Sequence, residues 1–438
     1  MAIRVGIISL GCAKNQVNSE QMLFLLNDAG FEVTDSITGA AAVVINTCAF
    51  IESAKTEAID TILELGRLKD EGSIGKIVVA GCLPERYKNE IMSEMPEIDA
   101  AVGVGSFDSI VAAVRSALER GERPKFFEET GASVSETGRI MTTSPGWAYL
   151  KIAEGCDNRC AFCVIPDIRG RYRSRPMENI VKEAKELADG GIKELVIVAQ
   201  DVTRYGLDLY GKRRLKDLLA GLSEIEELRW IRLHYLYPDE IDDGLIDMIA
   251  GNDKILKYLD IPIQHINDEI LRKMRRRGTG GEIRALIRRL RERIPGVVLR
   301  TSVIAGLPGE GEEEFEELCA FLREAKIERT GVFTYSPEEG TDAELMDRPD
   351  KDTAALRAEI LIDIQQSIFE EFGQSRIGSV TTILIEGFDS AGYYGRSYGE
   401  SPDVDGYIYI DADDLEINEF CDVLITGPDT GVRIKNPT

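Results

Sequence analysis

The chain has 438 residues, room for about three domains of ~150 residues, and its 43% hydrophobic and 29% charged composition excludes a disordered chain. A formal net charge of −25 is a poor match for a polyanion, since nucleic-acid binding draws mostly on neutralised phosphates, so only a local basic patch would grip RNA. No run of about 18 uncharged apolar residues occurs, so no membrane-spanning helix is expected. Residues 1–127 alternate short Val- and Ile-rich runs, at 4–10, 42–46 and 76–80, with helical periods, which predicts a parallel α/β domain. The opening run ends in Leu10-Gly11-Cys12, faintly like a lipoprotein signal. It is too short for a secretory apolar region, carries an Arg and leads into a helical pattern, so it reads as a buried strand and the expected compartment is the cytoplasm.

Residues 128–145 turn Gly, Ser and Thr rich without periodicity and read as a linker. A second α/β series follows, with strands expected at 148–153, 195–199, 230–235, 258–262, 298–304 and 331–335. Six βα units are too few to close an eight-stranded barrel, so a partial (βα)6 TIM-like barrel is expected, with its chemistry at the C-terminal strand ends. A helix over 353–372 carries Leu356, Ile360, Ile364, Ile368 and Phe372 on one stripe, and Gly373 is its expected stop. Beyond it, alternating segments at 380–388, 406–410 and 422–426 predict a small antiparallel β-barrel.

Eight Cys over this length are too sparse for a disulfide scaffold, and clustered thiols point to metal or redox chemistry. The strongest motif is Cys156-x3-Cys160-x2-Cys163, directly after the first strand of the second series. Three soft thiolates in so short a loop suit an iron–sulfur cluster or zinc. Closed structural zinc prefers four ligands, and no fourth lies nearby in sequence. A [4Fe-4S] cluster held by three Cys leaves one iron open. The spacing resembles the radical S-adenosylmethionine (SAM) superfamily, and that resemblance implies that the amino and carboxylate groups of SAM chelate the open iron and that Phe162 lies near its adenine.

Cys12, Cys48 and Cys82 each immediately follow a strand of the first domain. Parallel strands aim their C-terminal ends at one edge, so these thiols can converge into a second trio of ligands, although each alone reads as a buried small residue. Cys319, on an apolar helix face with Phe315, Leu318 and Leu322, and Cys421, at a strand start, read as packing. The only two His, His234 and His265, fall near the ends of the third and fourth barrel strands and are assigned no catalytic role. Gln200 and Asp201 after the second strand, and Gln264 after the fourth, are placed either to hold SAM or to cap turns. The Gly306-Leu307-Pro308-Gly309 turn would let backbone approach a ligand. Basic runs at 169–175 and 272–277 are either solvated helix ends or contacts to SAM or substrate.

Together these motifs resemble the methylthiotransferase family of the radical SAM superfamily over the whole chain. The resemblance assigns residues 1–127 to a methylthiotransferase cluster-binding domain, 146–375 to a radical SAM domain and 376–438 to a TRAM domain. Gly11-Cys12-Ala13-Lys14-Asn15-Gln16 and Asn46-Thr47-Cys48-Ala49-Phe50-Ile51 resemble the branch that modifies a ribosomal protein. The tRNA-modifying branch usually has an Arg-containing stretch where this chain has Phe50-Ile51-Glu52. One departure concerns SAM. Many radical SAM enzymes carry Gly-Gly-Glu after the second strand, and Val198-Ala199-Gln200-Asp201 stands here, as is usual for methylthiotransferases. From 376 to 438 the sequence has twelve acidic and four basic residues, a net −8 that suits a basic protein better than a phosphate backbone.

The activity that this resemblance implies is addition of a methylthio group to the β-carbon of an aspartate of small-subunit ribosomal protein S-twelve. The resemblance implies two [4Fe-4S] clusters, on Cys12, Cys48, Cys82 and on Cys156, Cys160, Cys163, with SAM as radical source and methyl donor. It also implies an external electron donor, and no catalytic residue beyond the cluster ligands is assigned. The alternatives are a tRNA adenosine methylthiotransferase and a non-catalytic iron–sulfur or zinc protein.

Overall fold

The computed structural model describes residues 3–119, 123–128 and 134–434, which fall into two compact units. The first comprises residues 1–142, 151–175 and 336–344, and the second residues 143–150, 176–335 and 345–438. No helix among the described residues is long and apolar enough to cross a membrane.

The first unit is built on six parallel strands: β1 (Arg4–Ser9), β2 (Glu32–Thr34), β3 (Ala42–Thr47), β4 (Lys76–Gly81), β5 (Ala100–Val102) and β6 (Lys125–Phe126), in the order β2-β1-β3-β4-β5-β6. β3 is buried at every position, as the continuous Val and Ile run of a strand covered on both faces requires. Three of the strands match the expected apolar runs. β2, β5 and β6 are too short to leave a periodic signal.

Helices α1 (Ala13–Asp28), α2 (Glu52–Asp70), α3 (Cys82–Glu94) and α4 (Ile110–Leu118) cover the sheet. Val164 and Ile168, from the segment holding Cys156, Cys160 and Cys163, are buried in the same core. The linker expected after 127 is irregular but not loose over 139–142. The buried Glu20 carboxylate accepts from Arg139 Nε (3.0 Å) and from the Thr142 amide (2.9 Å).

In the second unit, β7 (Trp147–Lys151) is an edge of a six-stranded sheet. The other strands are β10 (Glu194–Val198), β11 (Trp230–Leu233), β12 (Ile255–Asp260), β13 (Val298–Ala305) and β14 (Arg329–Thr334), in the order β14-β13-β12-β11-β10-β7. The two intervening strands, β8 (Ala153–Glu154) and β9 (Arg173–Ser174), form a separate pair in the first unit. β14 and β7 remain unjoined, so the barrel is partial.

The long helix Lys351–Arg376 corrects the expected stripe. It buries Ala354, Arg357, Ala358, Leu361, Gln365 and Ile368, whereas Leu356 is exposed. Apolarity alone misassigned this face, because Arg357 is drawn inward by the buried Glu310 carboxylate (2.9 Å) and Gln365 by the carbonyls of Ile327 and Glu328. Gly373 does not stop the helix. It lies inside it, where Pro428 approaches so closely that a Cβ would touch the ring at 2.9 Å.

The C-terminal barrel consists of β15 (Val380–Asp389), β16 (Gly392–Arg396), β17 (Ile408–Asp411), β18 (Phe420–Gly427) and β19 (Thr430–Arg433), closed in the order β15-β16-β17-β19-β18. Ile383, Ile385, Ile408, Ile410, Val423 and Ile425 fill it. It is antiparallel except between β17 and β19. A ring of five strands cannot alternate direction throughout, so one parallel pair is a matter of parity.

Barrel and partial barrel meet over a buried ionic cluster. Glu194 accepts from Arg232 Nε (2.6 Å) and Arg396 (2.8 Å), Arg396 also pairs with Glu386, and Glu400 accepts from Arg329 (2.9 Å). Burial pushes the Glu194 carboxyl up, but Arg232 and Arg396 outweigh it and hold it below the usual range. A depressed carboxyl contributes stability above its unfolded pKa of about 4.3 and loses it as the pH falls towards the folded value. Arg396→Met, which leaves Glu386 without its partner while Glu194 keeps Arg232, is expected to cost about 3–5 kcal/mol, read as a lower urea midpoint. Glu194→Gln should flatten the acid limb of a stability–pH curve below about pH 4.3, and an unchanged limb would remove Glu194 as its source.

Candidate metal and cofactor site

β1, β3 and β4 lie side by side, so the residues just past their C-terminal ends share one edge. In the order 2-1-3-4-5 the crevice for ligands opens between β1 and β3. Cys12 caps α1 after β1, Cys48 follows β3, and Cys82 begins α3 at the end of β4. Gly11 and Gly81, each preceding one of these thiols, have φ of 93° and 97°. A Cβ on Gly11 would press on Cys48 and one on Gly81 on the Thr47 backbone, so both chains turn where a side chain would not fit.

Polar side chains fix the three strand ends to each other. Asn15 donates to the carbonyls of Leu10 (2.9 Å) and Thr47 (3.0 Å). Asn46 donates to Asn15 O (2.8 Å), and Thr47 Oγ1 donates to Ala80 O (2.7 Å). These residues stood inside the motifs that carried the family resemblance, yet no role was read from them. The signal was a polar Asn-Thr pair ending the Val-Val-Ile run of β3.

The thiols sit in each other's field. Burial and the neighbouring Cys82 and Cys12 push the Cys48 thiol up to about 12, and burial likewise raises Cys82 against the pull of Arg169. For Cys12, burial is outweighed by Lys14, Arg169 and the amides at the start of α1, and its thiol is held below the ordinary value. Among the described residues no three His, Cys, Asp or Glu side chains gather as one metal ion would need. A four-iron cluster asks for something different, since each thiolate attaches to a different iron, and three thiols around a shared crevice fit that donor set.

The second trio lies in the same unit. Cys156 N donates to Gly170 O (3.1 Å), Cys163 N to Cys160 O (3.0 Å), and Asp157 pairs with Arg171 (2.6 Å) across the loop. The short helix α5 (Ile165–Arg169) follows Cys163 and delivers Arg169, one of two members of its basic run, with Arg175, that are almost wholly buried. Arg169 is neither a solvated helix end nor exposed to a substrate. It donates to Glu154 Oε1 (2.8 Å), Asn15 Oδ1 and Cys82 Sγ (3.4 Å), while Lys151 pairs with Glu154 Oε2 (3.0 Å). Phe162 is buried in this loop.

The remaining expected residues lie in the second unit. Gln200 and Asp201 follow β10, and the Asp201 carboxylate accepts from Thr203 N (3.1 Å), capping a turn. Gln264 follows β12 with φ 71°, and its backbone bridges to Ser302 and Ile304. His234 meets Ser401 Oγ (2.8 Å), and His265 Nδ1 accepts from Asn267 N (3.1 Å), so both are tied into scaffold. The Gly306 turn packs against Ala354 and sends its amide to Glu310 (2.9 Å), a close approach to a helix rather than to a ligand. In the second basic run Arg272 pairs with exposed Glu269, and Arg277 with Glu240 (2.7 Å) while stacked on Tyr237.

A profile of the radical SAM superfamily matches residues 150–322, one of the uncharacterized protein family UPF0004 residues 4–103, and one of the TRAM domain residues 377–430. Solved structures of similar fold include the radical S-adenosylmethionine methyltransferase TsrM from Kitasatospora setae, at TM-score 0.57 and 18% identity, covering 79% of this chain and 77% of that one. The chain is thus a radical SAM enzyme, of a superfamily that uses a [4Fe-4S] cluster and SAM. Two relatives narrow the class. Both are named ribosomal protein uS12 methylthiotransferase RimO. The one from Caldanaerobacter subterraneus subsp. tengcongensis is 49% identical over 93% of this chain and 94% of its own. The one from Acetivibrio thermocellus is 47% identical over 98% and 97%. The chain belongs to the RimO family of methylthiotransferases.

Asn15 is the residue on which the strand ends converge. Asn15→Ala is expected to destabilise the first unit by about 1–3 kcal/mol for each buried group left without a partner, measured by thermal denaturation. Gln16→Ala, one position away, should stay within about 0.5 kcal/mol, and equal effects would refute the network.

Proposed function

We propose that this chain adds a methylthio group to the β-carbon of an aspartate of ribosomal protein uS12, with one [4Fe-4S] cluster on Cys156, Cys160 and Cys163 and a second on Cys12, Cys48 and Cys82. The observation that carries this reading is the presence, in one compact unit, of two separate trios of thiols. Each trio lacks a fourth ligand of its own, which suits a cluster that keeps an open iron. When bound, the first cluster with SAM supplies a 5′-deoxyadenosyl radical able to remove hydrogen from an unactivated carbon, while the second supplies sulfur and another SAM the methyl group. An external reductant supplies the electrons.

The chain's own residues have plainer tasks. Glu154 and Asp157 hold the ends of the Cys156 loop, Phe162 lines it, and Gln200 and Gln264 are the SAM contacts we infer at the strand ends, while the buried Asp201 carboxylate is spent on the turn it caps. The substrate side of the reading is supported by charge. In the C-terminal barrel Arg396 is fully buried and Arg433 is paired with Asp414, whereas Asp389, Asp411, Asp413, Glu416, Asp422 and Asp429 are exposed. Such a surface repels phosphates and attracts a basic ribosomal protein.

Cys156→Ala is expected to abolish 5′-deoxyadenosine formation in anaerobically reconstituted enzyme. Cys48→Ala should still form it while leaving uS12 without the methylthio group by mass spectrometry. Full methylthiolation by the Cys48 variant would overturn the division of labour, and modification of tRNA in place of uS12 would move the chain to the other branch.

A further inference from the structure

Arg169 is buried to 1% exposure, yet it comes from the helix that closes the Cys156 loop and reaches a sulfur of the other trio. Lys151 and Arg169 share one carboxylate, Glu154, through separate oxygens. The nearby cations Arg139 and Arg175 have their own partners in Glu20 and Glu136. One carboxylate thus serves two buried cations, and the guanidinium turns a further N–H to the Cys82 sulfur. A buried guanidinium aimed at a sulfur favours an anion there.

A [4Fe-4S] cluster on three thiolates is such an anion, and it becomes more negative by one unit on reduction. Positive charge and hydrogen bonds to the sulfurs favour the reduced form. Resting on the two-cluster reading above, we propose that Arg169 is a positioning residue that sets the reduction potential of the cluster on Cys12, Cys48 and Cys82. Glu154 aims it: the same carboxylate that orients Arg169 lies two residues before Cys156, so the loop of one cluster fixes the electrostatics of the other. Asn15 Oδ1, held from the strand-end network, fixes the remaining guanidinium face.

The test uses the full chain with Cys156→Ala, Cys160→Ala and Cys163→Ala, reconstituted anaerobically so that only the N-terminal trio can hold iron. It is titrated with dithionite through mediators and followed by electron paramagnetic resonance of the reduced cluster. Arg169→Met, which leaves Glu154 paired with Lys151, is expected to lower the reduced-to-oxidised ratio about tenfold at the parent's midpoint, a shift of about 59 mV for one electron. Arg169→Lys, which keeps the charge and loses the fork, should stay within about threefold. If both variants hold about four iron atoms per chain and titrate with the parent, the proposal is overturned and the two-cluster reading stands. Loss of iron from both variants would make Arg169 a scaffold residue and overturn it as well. A parent that itself takes up no cluster would sink the two-cluster reading and this proposal together.

Discussion

The site depends on a constraint of parallel sheets: every strand ends on the same edge, and where the strand order reverses, the connections part and leave a crevice. β1 and β3 flank that crevice, with β4 next to β3. A thiol placed just past each of these strands needs no long-range design to meet the others. It needs only a chain that can turn at once, which Gly11 and Gly81 permit with their positive φ. Asn15, Asn46 and Thr47 then convert proximity into fixed geometry, because Asn15 and Thr47 donate to the backbone at neighbouring strand ends and Asn46 donates to the backbone of α1.

Two buried ionic clusters in this chain differ in a way that separates structure from chemistry. Between the barrels, Glu194 and Glu386 face Arg232 and Arg396, two charges of each sign, and the balance suits a permanent interface. Around Arg169 the count is two cations to one carboxylate. Nature's usual remedy for a buried lone charge is a partner or a shifted pKa, and an Arg does not deprotonate. Burial holds the Lys151 ammonium below its ordinary pKa, whereas Arg169 keeps its charge beside the Cys12 and Cys82 sulfurs, so its demand for an anion falls on the site those thiols form.

Much of this was legible in the sequence because it was periodic. The longer strands of both sheets announced themselves as Val and Ile runs, and the thiols by their position after those runs. What escaped was set by partners distant in sequence. The inward face of the helix Lys351–Arg376 is decided by Glu310 and by carbonyls of Ile327 and Glu328, so the expected stripe runs along its margin, with Ile368 buried but Leu356 exposed. Gly373 marks a close approach of Pro428, which a local reading takes for a helix end. Arg169 looked like one cation in a basic run because nothing local distinguishes it from Arg171, which is exposed and paired with Asp157. Only the fold shows that one faces water and the other a sulfur.

Charge counting meets the same limit and survives it. The sequence of the C-terminal segment counts Arg396 as a cation available to a partner, but it is sealed between Glu194 and Glu386, and Arg376 is occupied by Glu400. Glu386 and Glu400 leave the surface with them, so charges of both signs are withdrawn. Since the segment begins with few cations and many acids, withdrawing Arg396 and occupying Arg376 leaves its exposed described residues mostly acidic. An excess of one sign discriminates between partners by repulsion as much as by attraction.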